Sequence, residues 1–161
     1  MPHEVLGIDI GNVLVSNRAY ILGGSRYLEA EPMPGAFPAI ARLAQKRFDP
    51  TRIHVVSRVY DAIGEARNRH WLNHHRFFAM MGIPESNVHF CLKREEKAPI
   101  CKELGVTHFI DDRLEVLSHM VGIVPNLYLL GPSEGDLRKF RQYLPKVTVV
   151  QSWDQIQEML L

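Results

Sequence analysis

The stretch Val5-Leu6-Gly7-Ile8-Asp9-Ile10-Gly11-Asn12-Val13-Leu14-Val15 constrains the fold more than any other part of the chain. A near-continuous run of Val, Leu and Ile suits a strand buried on both faces, as in the middle of a parallel sheet. Carboxylates are rarely buried, so Asp9 belongs at the strand's C-terminal tip. In open α/β sheets that edge is where ligands bind. Gly11-Asn12 then breaks the run. Asp9 is the first candidate for chemistry.

The same kind of run recurs along the chain. Strands are expected over 4–10, 53–57, 88–92, 106–110, 124–130 and 147–150, each bounded by Gly, Pro, Asp or Ser. Between them, apolar residues at helical spacing predict helices from about 37 to 47, 61 to 81, 95 to 104, 114 to 121, 133 to 141 and 152 to 160. Short strands alternating with helices of about ten residues imply right-handed βαβ units. The expected fold class is α/β: a doubly wound, Rossmann-like parallel sheet of five to six strands with helices on both faces. The irregular segment between Val15 and Met33 reads as a short insertion holding one helical turn.

No repeat or linker divides the 161 residues, which suffice for one domain spanning 1–161. With 46% hydrophobic and 23% charged residues and a net charge of +1, the chain reads as globular. Nothing in that charge indicates nucleic acid or an anionic membrane surface as a partner. No apolar run approaches the ~20 residues a spanning helix needs, and the chain enters its first strand without a leader-like segment. A cytoplasmic protein is the expectation. Cys91 and Cys101 form no CxxC pair and read as buried, inert thiols.

Three expected strands end on reactive side chains: Asp9, Ser57 and the pair Asp111-Asp112. Right-handed crossovers carry all three tips to one edge of the sheet. Lys97 starts the helix before the fourth strand. Because that helix runs antiparallel to the strands, its first turn is expected at the opposite edge unless the preceding loop folds over. Lys97, or Lys93 in that loop, would reach the tips only that way.

These residues together resemble the haloacid dehalogenase superfamily of aspartate-nucleophile hydrolases. Four signatures match in order: Asp9-Ile10-Gly11-Asn12-Val13-Leu14, Val55-Val56-Ser57, Lys97, and Phe109-Ile110-Asp111-Asp112-Arg113. Pro32-Met33-Pro34-Gly35-Ala36 is similar to the segment that opens the first core helix in the nucleotidase-type branch. The resemblance implies that Asp9 is the nucleophile and forms an aspartyl-phosphate. It implies a Mg²⁺ ion held by Asp9, the Gly11 carbonyl and Asp112, with Asp111 and Asn12 in support. It further implies that Ser57 binds a phosphate oxygen, and that Lys97 neutralises phosphate and keeps Asp9 ionised. The expected partner is a small phosphorylated substrate, with self-association left open.

The chain departs from the family at Gly11, where the family carries the aspartate that protonates the leaving group. General acid–base catalysis is worth about 10²–10⁴-fold. Three outcomes stay open: a phosphohydrolase confined to good leaving groups, a phosphate- or metal-binding domain that turns over poorly, and dehalogenase-like chemistry, which needs no proton donor. Asp112 weighs against the last, because dehalogenases of this superfamily need no Mg²⁺. The insertion is too short for a large cap, which implies an open site, a larger substrate, or closure by a second subunit. Arg18, Tyr20, Arg26, Tyr27 and Arg58 are the candidates for substrate contact. His70 and His74, four apart on a helix, could share a metal, but no acidic ligand accompanies them, so they read as a polar face.

Overall fold

The computed structural model describes residues 3–16 and 24–161. Six strands form one sheet in the order β3-β2-β1-β4-β5-β6. They are β1 (Leu6–Ile8), β2 (Ile53–Arg58), β3 (Val88–Cys91), β4 (His108–Asp111), β5 (Asn126–Leu130) and β6 (Thr148–Val150). Every neighbouring pair is parallel, with Ile8 paired to Val55 on one side and to Ile110 on the other. The α/β, Rossmann-like class is therefore observed.

Strand residues alternate between two cores. Leu6, Ile8, Val55, Ile110, Tyr128 and Leu130 pack on one face of the sheet. Helices α1 (Ala36–Lys46), α2 (Ala62–His74), α3 (Phe77–Met81) and α7 (Trp153–Leu160) cover that face. On the other, Val5, Val56, Phe109, Leu127 and Leu129 meet α4 (Lys97–Leu104) and α5 (Leu114–Ser118). The short α6 (Glu134–Lys139) adds Leu137 at that layer's margin. Gly7 lacks the Cβ that would lie 2.5 Å from the Phe109 ring, so the close approach of β1 to Phe109 depends on glycine at this position.

Two expectations need correction. The helix expected over 61–81 is two helices, because Arg76 adopts φ 60° between them. The turn swings Phe77 into the core, where its ring lies 5.5 Å from that of Phe37. The expected placement of the Lys97 helix is also wrong. A crossover helix that follows β3 begins where β3 ends, so its first turn lies at the reactive edge. A single 3-10 turn, Arg94–Glu96, makes the connection, and Lys97 opens α4 directly above the strand tips.

Candidate active site

The chain places β2 and β3 on one side of β1, then crosses over to place β4 on the other. The strand order reverses between β1 and β4. A crevice at such a switch point, outside the carboxyl ends of the strands, is the general ligand site of open α/β sheets.

Asp9 follows β1 directly, and its backbone N–H donates to the Ile110 carbonyl at 3.1 Å. Beyond it the chain folds tightly, with the amides of Val13, Leu14 and Val15 all directed at the Ile10 carbonyl. Trp153 Nε1 of α7 donates to the Val13 carbonyl at 2.8 Å and fastens this loop to the core. Asn12 accepts a positive φ of 59°, which Asn tolerates better than most residues, and its Nδ2 donates to Asp112 Oδ2 at 3.3 Å. The loop after β1 is thereby tied to the loop after β4.

Lys97 sits between the two. Its Nζ donates to Asp9 Oδ1 at 2.9 Å and to Asp111 Oδ2 at 2.8 Å. All three side chains are buried, Lys97 at 3% exposure and Asp111 at 0%. Burial opposes the charge on Lys97, but Asp111 and Asp9 together outweigh it and hold the ammonium above the usual lysine range. Asp111 also accepts the Arg113 amide at 3.0 Å. Burial, then the charge of Asp9, pushes Asp111 up to about 6 against the pull of Lys97. Burial and the charges of Asp111 and Asp9 push Asp112 up to about 8.

Oxygens of Asp9, Asp111 and Asp112 lie within 4.8 Å of one another, the one cluster among the described residues with the make-up of a metal site. Burial, together with one lysine facing three carboxylates, is why Asp111 and Asp112 resist ionisation. An all-oxygen donor set with excess negative charge fits a hard divalent cation.

The cluster opens into a cavity of about 560 Å³, within the usual range for a small-molecule pocket. Asp9, Gly11, Ser57, Lys97, Asp111 and Asp112 line it, so six of the residues singled out in the sequence converge on one space, while Asn12 stays outside it. Arg58 lines it too, its guanidinium 4.2 Å over the Tyr60 ring. Lys93 does not; it is exposed, and its amide donates to Glu96. Arg26 is not brought to the cavity either, and pairs instead with Glu29 at 3.2 Å. Arg18 and Tyr20 lie outside the described residues.

The insertion leaves the core after Val15 and returns at Pro32, where the two residues form an antiparallel bridge. It contributes a 3-10 helix, Gly24–Glu29, held to α2 by Tyr27 Oη with His70 Nδ1 at 2.8 Å, and by Trp71 Nε1 donating to the Ala30 carbonyl at 3.0 Å. His70 thus engages Tyr27, while His74 lies edge-on to His75. Cys91 and Cys101 are buried free thiols.

Sequence reasoning missed Arg67, Arg94, Arg113, Tyr60 and Ile63, all of which line the cavity. A signal was present for two of them. Arg94 and Arg113 each follow a strand tip within three residues, after β3 and β4, just as the expected Arg58 closes β2. Asp136, which accepts the amides of Leu114 and Glu115 and so caps α5, comes from a distant helix and carries no local signature.

No protein-family model and no curated protein matches the sequence. Comparison of structures does find similar folds. A haloacid dehalogenase-like hydrolase from Burkholderia xenovorans LB400 superposes over 98% of this chain and 99% of its own, with TM-score 0.66 and 14% identity. A HAD-superfamily hydrolase from Ehrlichia chaffeensis matches over 97% and 95%, with TM-score 0.62 and 11% identity. DsGPDH of Dunaliella salina contains a similar region, with TM-score 0.53 and 13% identity over 28% of that chain. The fold is that of the haloacid dehalogenase-like hydrolases.

Proposed function

We propose that the protein is a Mg²⁺-dependent phosphohydrolase acting through Asp9. The observation that carries this reading is buried Lys97, bridging Asp9 and Asp111 at the switch point with Asp112 alongside. In such a site the Lys97 ammonium, 2.9 Å from Asp9 Oδ1, orients Asp9 as nucleophile. An Asp9 carboxylate oxygen attacks phosphorus, the bond from phosphorus to the leaving oxygen breaks, and an aspartyl-phosphate results. Water then attacks that phosphorus, releasing phosphate and regenerating Asp9. Ser57, at the tip of β2, is suited to hold a phosphate oxygen. Asp9, the Gly11 carbonyl and Asp112 would hold Mg²⁺, which supplies charge neutralisation for the transferred group.

Gly11 offers no proton to the departing oxygen, so the reading favours leaving groups that depart as stable anions: aryl, acyl or sugar 1-phosphates. An assay of phosphate monoesters with Mg²⁺ tests it. Turnover should rise steeply as the leaving group becomes more acidic and should vanish in Asp9→Asn. No turnover, or a rate indifferent to Asp9→Asn, overturns the proposal.

Gly11 also favours a second reading, a domain that binds phosphate and metal without significant turnover. That reading predicts thermal stabilisation by Mg²⁺ and phosphate together with an inert substrate panel. Residence in the cytoplasm fits either reading. It is supported by two buried free thiols and by the lack, among the described residues, of any helix long and apolar enough to cross a membrane.

A further inference from the structure

The cavity is lined by more positive charge than the transfer of one phosphoryl group explains. Lys97 is committed to Asp9 and Asp111, and Arg94 to Glu115 at 3.2 Å. Arg58, Arg67 and Arg113 also line the space, and none has a carboxylate within ion-pair distance among the described residues. They occupy different elements. Arg58 ends β2 beside Ser57, Arg113 follows Asp112, and Arg67 lies on the second turn of α2, over the Tyr27 ring at 5.4 Å. The three therefore spread from the strand tips outward toward the insertion.

Arg58 is held in place, stacked 4.2 Å over Tyr60 and donating to its Oη at 3.0 Å. Tyr60 and Ile63 stand at 82% and 63% exposure where the cavity meets solvent, giving its mouth an apolar flank. A guanidinium fixed against an aromatic ring has already lost much of the freedom that binding would otherwise cost, and its planar fork matches a carboxylate or phosphate. A 560 Å³ space extends well beyond the room one phosphoryl group needs.

We propose that Arg58, Arg67 and Arg113 form a second anion subsite, and that the substrate carries a further acidic group, carboxylate or phosphate, remote from the phosphoryl group that Asp9 attacks. This inference rests on the phosphohydrolase reading for its substrate, although the subsite can be tested without turnover. The matched probes are 4-carboxyphenyl phosphate and its neutral counterpart, 4-carbamoylphenyl phosphate. The amide is the more electron-withdrawing substituent, so leaving-group chemistry alone favours the neutral probe.

The subsite predicts the opposite order, with kcat/KM higher for the carboxylate by about tenfold or more, the worth of one charge-assisted hydrogen bond. Arg58→Gln, Arg67→Gln and Arg113→Gln should each lower that ratio, and the triple variant should bring it to one or below. Arg141→Gln, an exposed position outside the cavity, should leave it at the wild-type value. If both probes turn over in an Asp9-dependent way with a ratio near one, the subsite is refuted and the phosphohydrolase reading stands. If neither probe turns over, that reading falls, and calorimetric affinities of the same probes decide the subsite. Tighter binding of the carboxylate that is lost in the triple variant upholds it, and equal affinities overturn it.

Discussion

At Asp112, three short-range effects converge: burial, the negative charges of Asp111 and Asp9, and a hydrogen bond from Asn12. The first two resist ionisation and outweigh the third. Replacing Asp112 with Asn removes a charge that the folded state holds unwillingly, so Asp112→Asn should stabilise the metal-free protein by ~1 kcal/mol, or ~2–4 °C in Tm. The same substitution removes a cluster oxygen and should abolish the rise in Tm that the proposed Mg²⁺ site predicts for the wild type. Differential scanning calorimetry with Mg²⁺ and with chelator reads both effects. A wild type whose Tm ignores Mg²⁺ would mean that the cluster binds no Mg²⁺. Gly11 calls for the converse experiment. Gly11→Asp introduces a carboxyl group beside the cavity, and if proton donation limits turnover, an alkyl phosphate should be hydrolysed about 10²-fold faster or more. An unchanged rate would show that some other group already moves the proton.

Elements were legible in the sequence wherever they ended on Gly, Pro or a capping side chain. Ser133 and Ser152 accept the amides of Asp136 and Gln155 and start α6 and α7 at the positions where those helices are expected to begin. Gly105 ends α4 at φ 69°. The break between α2 and α3 was not legible. Arg76 occupies a left-handed turn with no local sequence cue, because burial of Phe77 and Met81 against α1 dictates it. The Lys97 misplacement had a different root: element order alone starts a crossover helix where the preceding strand ends, and the 3-10 turn after β3 then sets that lysine over the tips. Gly7 is the element-scale counterpart of Asp9. Its ladder position was readable, but the tight approach of Phe109 from β4 was not. Gly7→Ala should cost about 1–3 kcal/mol through overpacking, measured by urea denaturation. Phe109→Leu should recover part of the loss. Full stability in Gly7→Ala would show that the Phe109 ring moves aside freely.

Across the whole molecule, one parallel sheet both assembles the site and carries an acid sensitivity of its own. Asp9, Ser57 and Asp111-Asp112 converge because parallel strands share a C-terminal edge, and this much could be read from order alone. The arginines around the site could be read only in part, since Arg58 and Arg113 follow from the strand tips whereas Arg67 reaches the cavity from a helix face. Histidines stand on three adjacent or near-adjacent strands: His54 on β2, His89 on β3 and His108 on β4. His54 Nδ1 and His89 Nε2 lie 3.0 Å apart. Burial lowers all three below the ordinary histidine value of 6.5, aided at His54 by His89, at His89 by Arg69 and at His108 by Arg47. A depressed histidine stays neutral in the folded state while the unfolded chain already takes up protons. Its contribution is therefore complete above pH 6.5 and is lost as pH falls through 6.5 toward the folded value. Asp111 and Asp112, raised in the fold, act in the opposite direction over the same range in metal-free protein, so the histidine effect is read by difference. Between pH 7.5 and 5.5, the Tm of the wild type should fall more, or rise less, than that of His54→Gln/His89→Gln, with chelator present for both. Parallel Tm–pH profiles for the two proteins would locate the acid response away from the β2–β3 pair.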